Sequence, residues 1–265
     1  MSPYPGGVPT PPRSVAELLA LLTAEPGRPR LTWYSGDGER VELSGAVLDN
    51  WVSKTANLLV EEFDAAPGTR VLLDLPAHWR SVVWALAVWR VGACVVTAEH
   101  DDETRDGATG RGDDSHGPAD LVVTYRPAAH PHARDLVAVT LPALARRFDG
   151  TLPAGAVDAA AAVMTYSDRI GWVPAVDPAT PALLVTGRAT THAHLFDAAS
   201  AAQPQADRVL LPAAELASTL TEMLAVLTAG GSLVLTDPAM AASLRADEAR
   251  RSALVAGERV TSDRL

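Results

Sequence analysis

Short apolar runs alternate with helical patterns along most of the chain, and this alternation constrains the fold more than any other feature. A compact apolar run at 70–75 is followed by a helical pattern at 76–90 and a second apolar run at 93–97. The same rhythm continues with apolar runs at 121–126, 136–140, 183–185, 208–211 and 232–236, and with helical patterns at 142–148, 154–165, 191–202, 214–229 and 239–255. Apolar strands between helices are typical of parallel sheets covered on both faces. The sequence therefore predicts an α/β layered sandwich with a largely parallel sheet.

The first 63 residues supply a different start to the domain. Ser14 is a good helix cap, and the apolar spacing after it predicts a short helix. Two strand-like runs flank the turn residues at 35–38, which indicates a hairpin, and a helix with an apolar face is predicted at 45–63. We expect residues 1–13 to form a flexible arm and 14–265 a single domain, with the acidic, Gly-rich segment 99–119 as a mobile surface loop.

Charge and cysteine content exclude several classes of protein. With 22 basic and 32 acidic residues the net charge is −10, which repels nucleic acid and anionic membranes. The single cysteine, Cys94, lies among apolar residues, which predicts a buried and unreactive thiol in a reducing compartment. The apolar stretch 81–96 is too short and too interrupted to span a bilayer, and the N-terminus lacks a signal-peptide pattern. We therefore expect a cytoplasmic protein that binds neither nucleic acid nor membrane.

The usual catalytic fingerprints are missing from the sequence. No Gly-x-Gly-x-x-Gly motif joins a strand to a helix, and no Gly-Lys-Ser/Thr, Gly-x-Ser-x-Gly or His-Glu-x-x-His motif occurs. Two His-x-His pairs, His130/His132 and His192/His194, have no carboxylate or cysteine at matching spacing, so we expect no metal site. The tryptophans of the helix at 76–90 are interpreted as core residues.

The stretch LLVTGRATTHAHLF, beginning at Leu183, has the position of a phosphate-binding loop without its usual composition. An apolar run ends in Thr186-Gly187, and a helix is predicted from Thr191. A nucleotide-binding α/β protein places glycines, hydroxyls and a lysine at such a point. Here there is one glycine with several threonines, and Lys54 is the only lysine of the chain.

Framework motifs in the first half resemble the adenylate-forming enzymes, the acyl-CoA synthetase and AMP-binding superfamily. The matching residues are Pro67-Gly68-Thr69-Arg70-Val71, Leu75-Pro76 and Gly92-Ala93-Cys94-Val95-Val96. The run Ala225–Leu235, with its Ala-Gly-Gly, is similar to a later framework motif of these enzymes. The resemblance implies the fold of their N-terminal subdomain. The chain also resembles a group of short actinobacterial proteins of unknown function that share only this front half.

The resemblance can be carried to the phosphate loop residue by residue. In the family a strand runs into T-S-G-T-T-G-x-P-K-G, soon followed by T-H-x-N. Residues 183–187 match the start, Thr191-His192-Ala193-His194-Leu195 match the far end, and only Arg188-Ala189-Thr190 lie between them. The middle of the loop and its lysine are thus interpreted as deleted. The candidate ligand-binding groups that remain are Thr186, Gly187, Arg188, Thr190 and Thr191.

The departures from the family pattern imply a change of function. The family's Y-G-x-T-E motif, its ribose-binding aspartate and the C-terminal domain with a catalytic lysine have no counterpart in these residues. Lys54 lies on an early framework helix and cannot replace either family lysine. We therefore expect no catalytic residues and no metal, and interpret the chain as a catalytically degenerate homologue, a non-enzymatic module that binds a small molecule or a protein.

Two alternatives remain open at this point. In the first, the chain is part of an AMP-forming ligase that a partner chain completes. In the second, it is a structural subunit of a dimer. No cofactor is expected, with residual binding of AMP, ATP or an acyl ligand as the exception, and a homodimer or partner protein would cover apolar surface at the truncated edge.

Overall fold

The computed structural model describes residues 11–97, 118–201 and 207–265. Its strands are β1 Pro29–Tyr34, β2 Arg40–Ser44, β3 Arg70–Asp74, β4 Cys94–Thr97, β5 Leu121–Thr124, β6 Asp135–Ala138, β7 Val157–Asp158, β8 Pro181–Val185, β9 Arg188–Thr191, β10 Arg208–Pro212, β11 Ser232–Thr236 and β12 Ser262–Asp263. Its helices are α1 Val15–Thr23, α2 Gly45–Phe63, α3 Trp79–Arg90, α4 Ala159–Ala162, α5 His192–Ala201, α6 Leu216–Thr228, α7 Pro238–Ala246 and α8 Glu248–Gly257. The predicted α/β class is confirmed.

These strands form two sheets. One has five strands in the order β12-β10-β11-β1-β2, in which only the β1–β2 hairpin pairs are antiparallel. The other has seven strands in the order β7-β6-β5-β3-β4-β8-β9, parallel except for the β8–β9 pair. In the larger sheet, β4 lies on one side of β3 and β5 lies on the other. The carboxyl ends of β3 and β5 therefore meet at a topological switch point, where open α/β sheets commonly bind ligands.

Helix α3 joins the two sheets. It contacts β1 of the smaller sheet and both β3 and β4 of the larger one, and residues 79–89 are buried on every side. A helix surrounded in this way is mostly apolar, which explains its three tryptophans, and its buried polar side chains Arg80 and Ser81 bond backbone carbonyls. One hydrophobic cluster includes Leu31 of the smaller sheet and Leu73 of the larger. The two sheets thus share a core, and the prediction that the tryptophans belong to it is confirmed.

The prediction of a helix at 142–148 is wrong, because side chains that are distant in sequence bond the backbone groups at its start. The Arg80 guanidinium donates from Nε to the Leu141 carbonyl at 3.2 Å and from Nη2 to the Pro142 carbonyl at 3.0 Å. The Ala143 N–H donates to the Glu39 carboxylate at 2.7 Å. These long-range bonds replace the local ones that a helix needs.

Two other helical predictions are only partly right. Within 154–165, α4 spans four residues, because Val157 pairs with Val137 of β6 and Asp158 caps the helix through the N–H groups that follow it. The pattern at 239–255 is divided at Asp247, whose φ of −128° leaves the helical region and whose side chain caps α8. Short polar side chains that bond the following backbone favour such helix starts.

Some sequence predictions fall on residues that are not described. Most of the flexible arm at 1–13 and of the acidic loop at 99–119 lies outside the described residues. The division into an arm and a single domain at 14–265 therefore remains a prediction. Within the described parts of the chain, no helix has the length and apolarity to cross a bilayer.

Candidate functional site

The predicted site residues lie in a β-hairpin at one edge of the seven-stranded sheet. Strand β8 runs into Thr186 and Gly187, β9 starts at Arg188, and Val185 pairs directly with Arg188. Thr186 has a φ of 44° and Gly187 a φ of 75°. Positive φ at both central residues is typical of the two-residue turns that match the twist of a hairpin. The stretch is therefore a closed turn rather than an interrupted loop.

The five candidate residues are distributed along the hairpin. Thr186, Gly187 and Arg188 are exposed at its tip, whereas Thr190 and Thr191 are half-buried further along β9. A strand rises about 3.4 Å per residue, so Thr191 lies about 10 Å from Arg188. The Thr191 hydroxyl oxygen accepts the His194 N–H at 3.3 Å and also bonds His194 Nδ1 at 2.8 Å. The structure groups the tip residues and leaves Thr191 in the cap of α5.

Strand β9 itself was missed by the sequence reasoning, which placed a helix directly after a turn. The β-branched pair Thr190-Thr191 was the available signal, since such residues favour strands. The antiparallel register Leu184–Ala189 confirms that this segment belongs to the sheet.

His192, the histidine of the Thr-His match, holds framework segments together. Its side chain is 5% exposed, and Nε2 donates to the Gly92 carbonyl at 3.1 Å. Burial lowers the pKa of His192, so the ring is neutral near pH 7. Gly92 has a φ of 78°, and a Cβ there would lie 2.9 Å from the Pro67 ring. The motifs around Pro67 and Gly92 therefore contact each other, and His192 bonds to the second.

The glycines of the Ala-Gly-Gly motif before β11, like Gly92, are required by backbone conformation and close packing. Gly230 adopts a φ of 74°, and a Cβ on Gly231 would lie 2.5 Å from the Asp207 carbonyl oxygen. Arg30, 2% exposed, donates from Nη1 to the Gly230 carbonyl at 2.6 Å. The two glycines are thus required by the backbone and by close packing, which fits a framework role.

A polar cluster that the sequence reasoning missed lies at the switch point between β3 and β5. Asp74, whose side chain is 2% exposed, receives the Thr124 hydroxyl on Oδ2 at 2.6 Å and Arg126 Nη2 on Oδ1 at 2.7 Å. His130 Nε2 lies 2.8 Å from Asp74 Oδ2. The signal for this cluster was a polar residue at the end of each of two neighbouring apolar strands, LLD and VVT.

The hydrogen bonds of this cluster fix the positions of its side chains. Both carboxylate oxygens of Asp74 already accept hydrogen bonds, so the group holds Arg126 and His130 in place. The Arg126 side chain is 49% exposed and reaches the surface from this buried anchor. The cluster therefore positions one exposed cation and one imidazole at the carboxyl edge of the sheet.

Metal and thiol chemistry find little support in the described residues. Within them, no three His, Cys, Asp or Glu side chains come together in a way that could hold a metal ion. Cys94 is 2% exposed, and burial raises the pKa of its thiol to about 12. The prediction of a buried thiol is confirmed, and such a group is protonated near neutral pH.

Comparisons with solved structures place the fold. A protein of Rhodopseudomonas palustris CGA009 named as a long-chain-fatty-acid CoA ligase matches 94% of this chain with a TM-score of 0.69 and 18% identity. A mutant form of an amide bond synthetase from Marinactinospora thermotolerans matches 95% of this chain with a TM-score of 0.66 and 17% identity. An acetoacetyl-CoA synthetase from Streptomyces lividans matches 84% of it with a TM-score of 0.65 and 16% identity. The chain spans 62%, 48% and 38% of these three chains, respectively. The resemblance to the N-terminal part of adenylate-forming enzymes is thus confirmed for the fold.

Sequence comparison gives a nearer relative. No protein-family model matches the chain. A TIGR03089 family protein of Mycobacterium tuberculosis (strain ATCC 25618 / H37Rv) is 37% identical over 236 residues, which cover 86% of this chain and 91% of that protein. At this identity and coverage, the chain belongs to the TIGR03089 family.

Proposed function

We propose that this chain is a non-adenylating member of the adenylate-forming fold that acts as a binding or interaction module. The observation that carries the proposal is the direct pairing of Val185 with Arg188 across a two-residue turn. Phosphate cradles need several consecutive backbone N–H groups that point at the ligand. A two-residue turn between paired strands offers too few of them for a triphosphate.

The only lysine of the sequence is also engaged elsewhere. Phosphoryl transfer relies on cations that stabilise the charge of the transition state. Lys54, the only lysine in the sequence, lies on α2 and donates to the Tyr166 carbonyl at 2.6 Å. This bond gives Lys54 a structural task, which supports the proposal.

The proposal includes weak binding of a small anion at the tip of the hairpin. Arg188 is exposed at the tip beside Thr186 and Gly187, and Thr190 lies on the same face of β9 two residues later. A guanidinium binds a carboxylate or phosphate through two parallel hydrogen bonds. The tip is therefore proposed as a contact for a single small anion, without bound nucleotide or metal.

The test is carboxylate-dependent exchange of pyrophosphate into ATP by the purified chain, together with thermal shifts. We expect exchange at the level of the blank, whereas an active acyl-CoA synthetase serves as the positive control. Magnesium ATP is expected to leave the melting temperature unchanged, although a ligand at 100 times its dissociation constant would add about 2.7 kcal/mol of stability. Exchange that depends on a carboxylate would overturn the proposal, including exchange that appears only when a partner chain is added.

Exposed apolar side chains support the interaction half of the proposal. Leu144 is 94% exposed, Trp172 67% and Met164 59%, and all three lie on the connection between β6 and β8. Burial of such large, exposed apolar side chains against another protein would be favourable. We propose that this connection contacts a second copy of the chain or a partner protein. Sedimentation at micromolar concentration should show a dimer that Trp172→Ser weakens, and a strict monomer would count against the homodimer.

A further inference from the structure

A cleft lies beside the five-stranded sheet, between the end of β1 and helices α7 and α8. It has a volume of about 390 Å³ and is lined by Tyr34 at the carboxyl end of β1, by Met240 of α7, by Arg250, Leu254 and Gly257 of α8, and by Glu258. The cleft is open to solvent on one side, so a ligand would be only partly covered. The cleft is distant in the chain from the β8–β9 hairpin, and its role does not depend on the proposed function above.

The cleft exists because α8 lies on the molecule without burying any side chain. None of its ten residues is buried, and Leu254 is only half-buried. Its partner α7 does bury apolar side chains, Met240 at 4% exposed among them. A helix that makes so few close contacts leaves an apolar seam beneath it, which forms the floor of the cleft.

One wall of the cleft is a rigid polar network. The Glu258 carboxylate accepts the Tyr34 hydroxyl at 2.6 Å and Arg40 Nη2 at 2.9 Å, and it also accepts a bond from Arg208. Although burial by itself raises the pKa of Glu258, the bonds from Tyr34, Arg208 and Arg40 hold it below its usual range. This carboxylate is therefore charged, and two guanidinium groups compensate its charge. It does not repel an incoming anion as an isolated acid would.

Arg250 at the rim is the cation that the network does not use. Its Nη1 donates to the Ser243 hydroxyl at 2.6 Å. Among the described residues no carboxylate lies within ion-pair distance of Arg250, and its Nη2 and Nε have no hydrogen-bond partner there. The Asp247 carboxylate caps the Arg250 backbone N–H at 3.0 Å, so the guanidinium keeps donors available at the rim, beside an apolar floor.

We propose that this cleft binds a small monocarboxylate with an apolar body. Its carboxylate would pair with the free fork of Arg250, and its apolar part would lie against Met240, Leu254 and the Tyr34 ring. A carboxylate fits better than a phosphate monoester, because a dianion calls for a second cation. Arg40 and Arg208 are both engaged by Glu258.

Calorimetric titration of the full chain tests the proposal with three probes: octanoate, phenyl phosphate and the uncharged octanamide. We expect octanoate to bind and the other two to bind at least tenfold more weakly. Arg250→Gln should weaken octanoate binding at least tenfold. Arg245→Gln, an exposed arginine on the adjacent helix α7, serves as the matched control and should leave it unchanged.

A second variant adds a side chain at a residue that lines the cleft. A Cβ on Gly257 would meet no atom within 4 Å, and its backbone is helical. Gly257→Leu should therefore fold normally and abolish octanoate binding. The proposal is overturned if octanoate does not bind, if both Arg250→Gln and Gly257→Leu bind it as the wild type does, or if only phenyl phosphate binds. None of these results would bear on pyrophosphate exchange, so the two proposals fail separately.

Discussion

Gly231→Ala is expected to destabilise the protein by about 3 kcal/mol, the upper end of the usual cost of overpacking. The added Cβ would lie 2.5 Å from the Asp207 carbonyl oxygen and 2.9 Å from that of Val226. Both neighbours are backbone atoms, so neither can rotate away as a side chain would. The residue sits where α6 turns into β11, beside the buried guanidinium of Arg30.

Chemical denaturation at neutral pH measures this effect, with Gly27→Ala as the matched control. A Cβ on Gly27 would meet nothing within 4 Å. The control should therefore stay within about 0.5 kcal/mol of the wild type, or gain slightly from a less flexible unfolded chain. Equal stability of the two variants would show that the chain before β10 moves to accept the methyl group.

His78→Asn is expected to remove a large part of the acid sensitivity of the fold. Burial, with a smaller contribution from the charge of Arg80, lowers the pKa of His78 to about 3. The ring is 5% exposed, its centroid lies 4.5 Å from that of Trp33, and Nδ1 accepts the Arg80 N–H at 3.2 Å. The native state thus holds the neutral ring as the cap of α3.

The sign follows from proton binding in the two states. His78 takes up a proton near pH 6.5 in the unfolded chain but only near pH 3 in the folded chain. The unfolded state therefore binds more protons between these pH values, and the free energy of unfolding falls as the pH drops from 6.5 towards 3. For one such group the loss between pH 7 and pH 4.5 is about 2.5 kcal/mol. Asparagine keeps a cap acceptor but does not titrate.

The measurement compares denaturation at pH 7 and pH 4.5 in both proteins. The packing lost with the ring lowers the stability of His78→Asn at both pH values, so the informative quantity is the difference between them. It should be smaller in the variant by about 2.5 kcal/mol. The exposed His132→Asn should behave as the wild type. An unchanged pH difference in His78→Asn would contradict the burial argument.

The sequence predicted the layered α/β core well, because local patterns determine it. The apolar runs at β3, β4 and β11 and the largely apolar helix α3 need no distant partner to be recognised. The failure at 142–148 has the opposite cause. Arg80 is 61 residues away from the Leu141 carbonyl that it binds, and no local pattern reports such a contact.

The candidate site was predictable only in part. The sequence singled out the stretch from Thr186 to Thr191 as a candidate that contains no lysine, but it could not show that its two ends are paired as strands. Strand pairing depends on register between segments and is specified by the whole edge of the sheet. The network around Asp74 and the cleft beside Arg250 likewise bring together residues that are distant in sequence.

The tight turn at Thr186-Gly187 makes this hairpin an easy place for the chain to grow. Its tip is exposed, and β8 and β9 already hold the two ends of any inserted segment at a fixed spacing. The entropic cost of closing a loop rises only with the logarithm of the loop's length. Extending the turn to about eight residues therefore costs on the order of 1 kcal/mol. A much longer loop at this turn is therefore compatible with the same paired sheet edge at a small cost in stability.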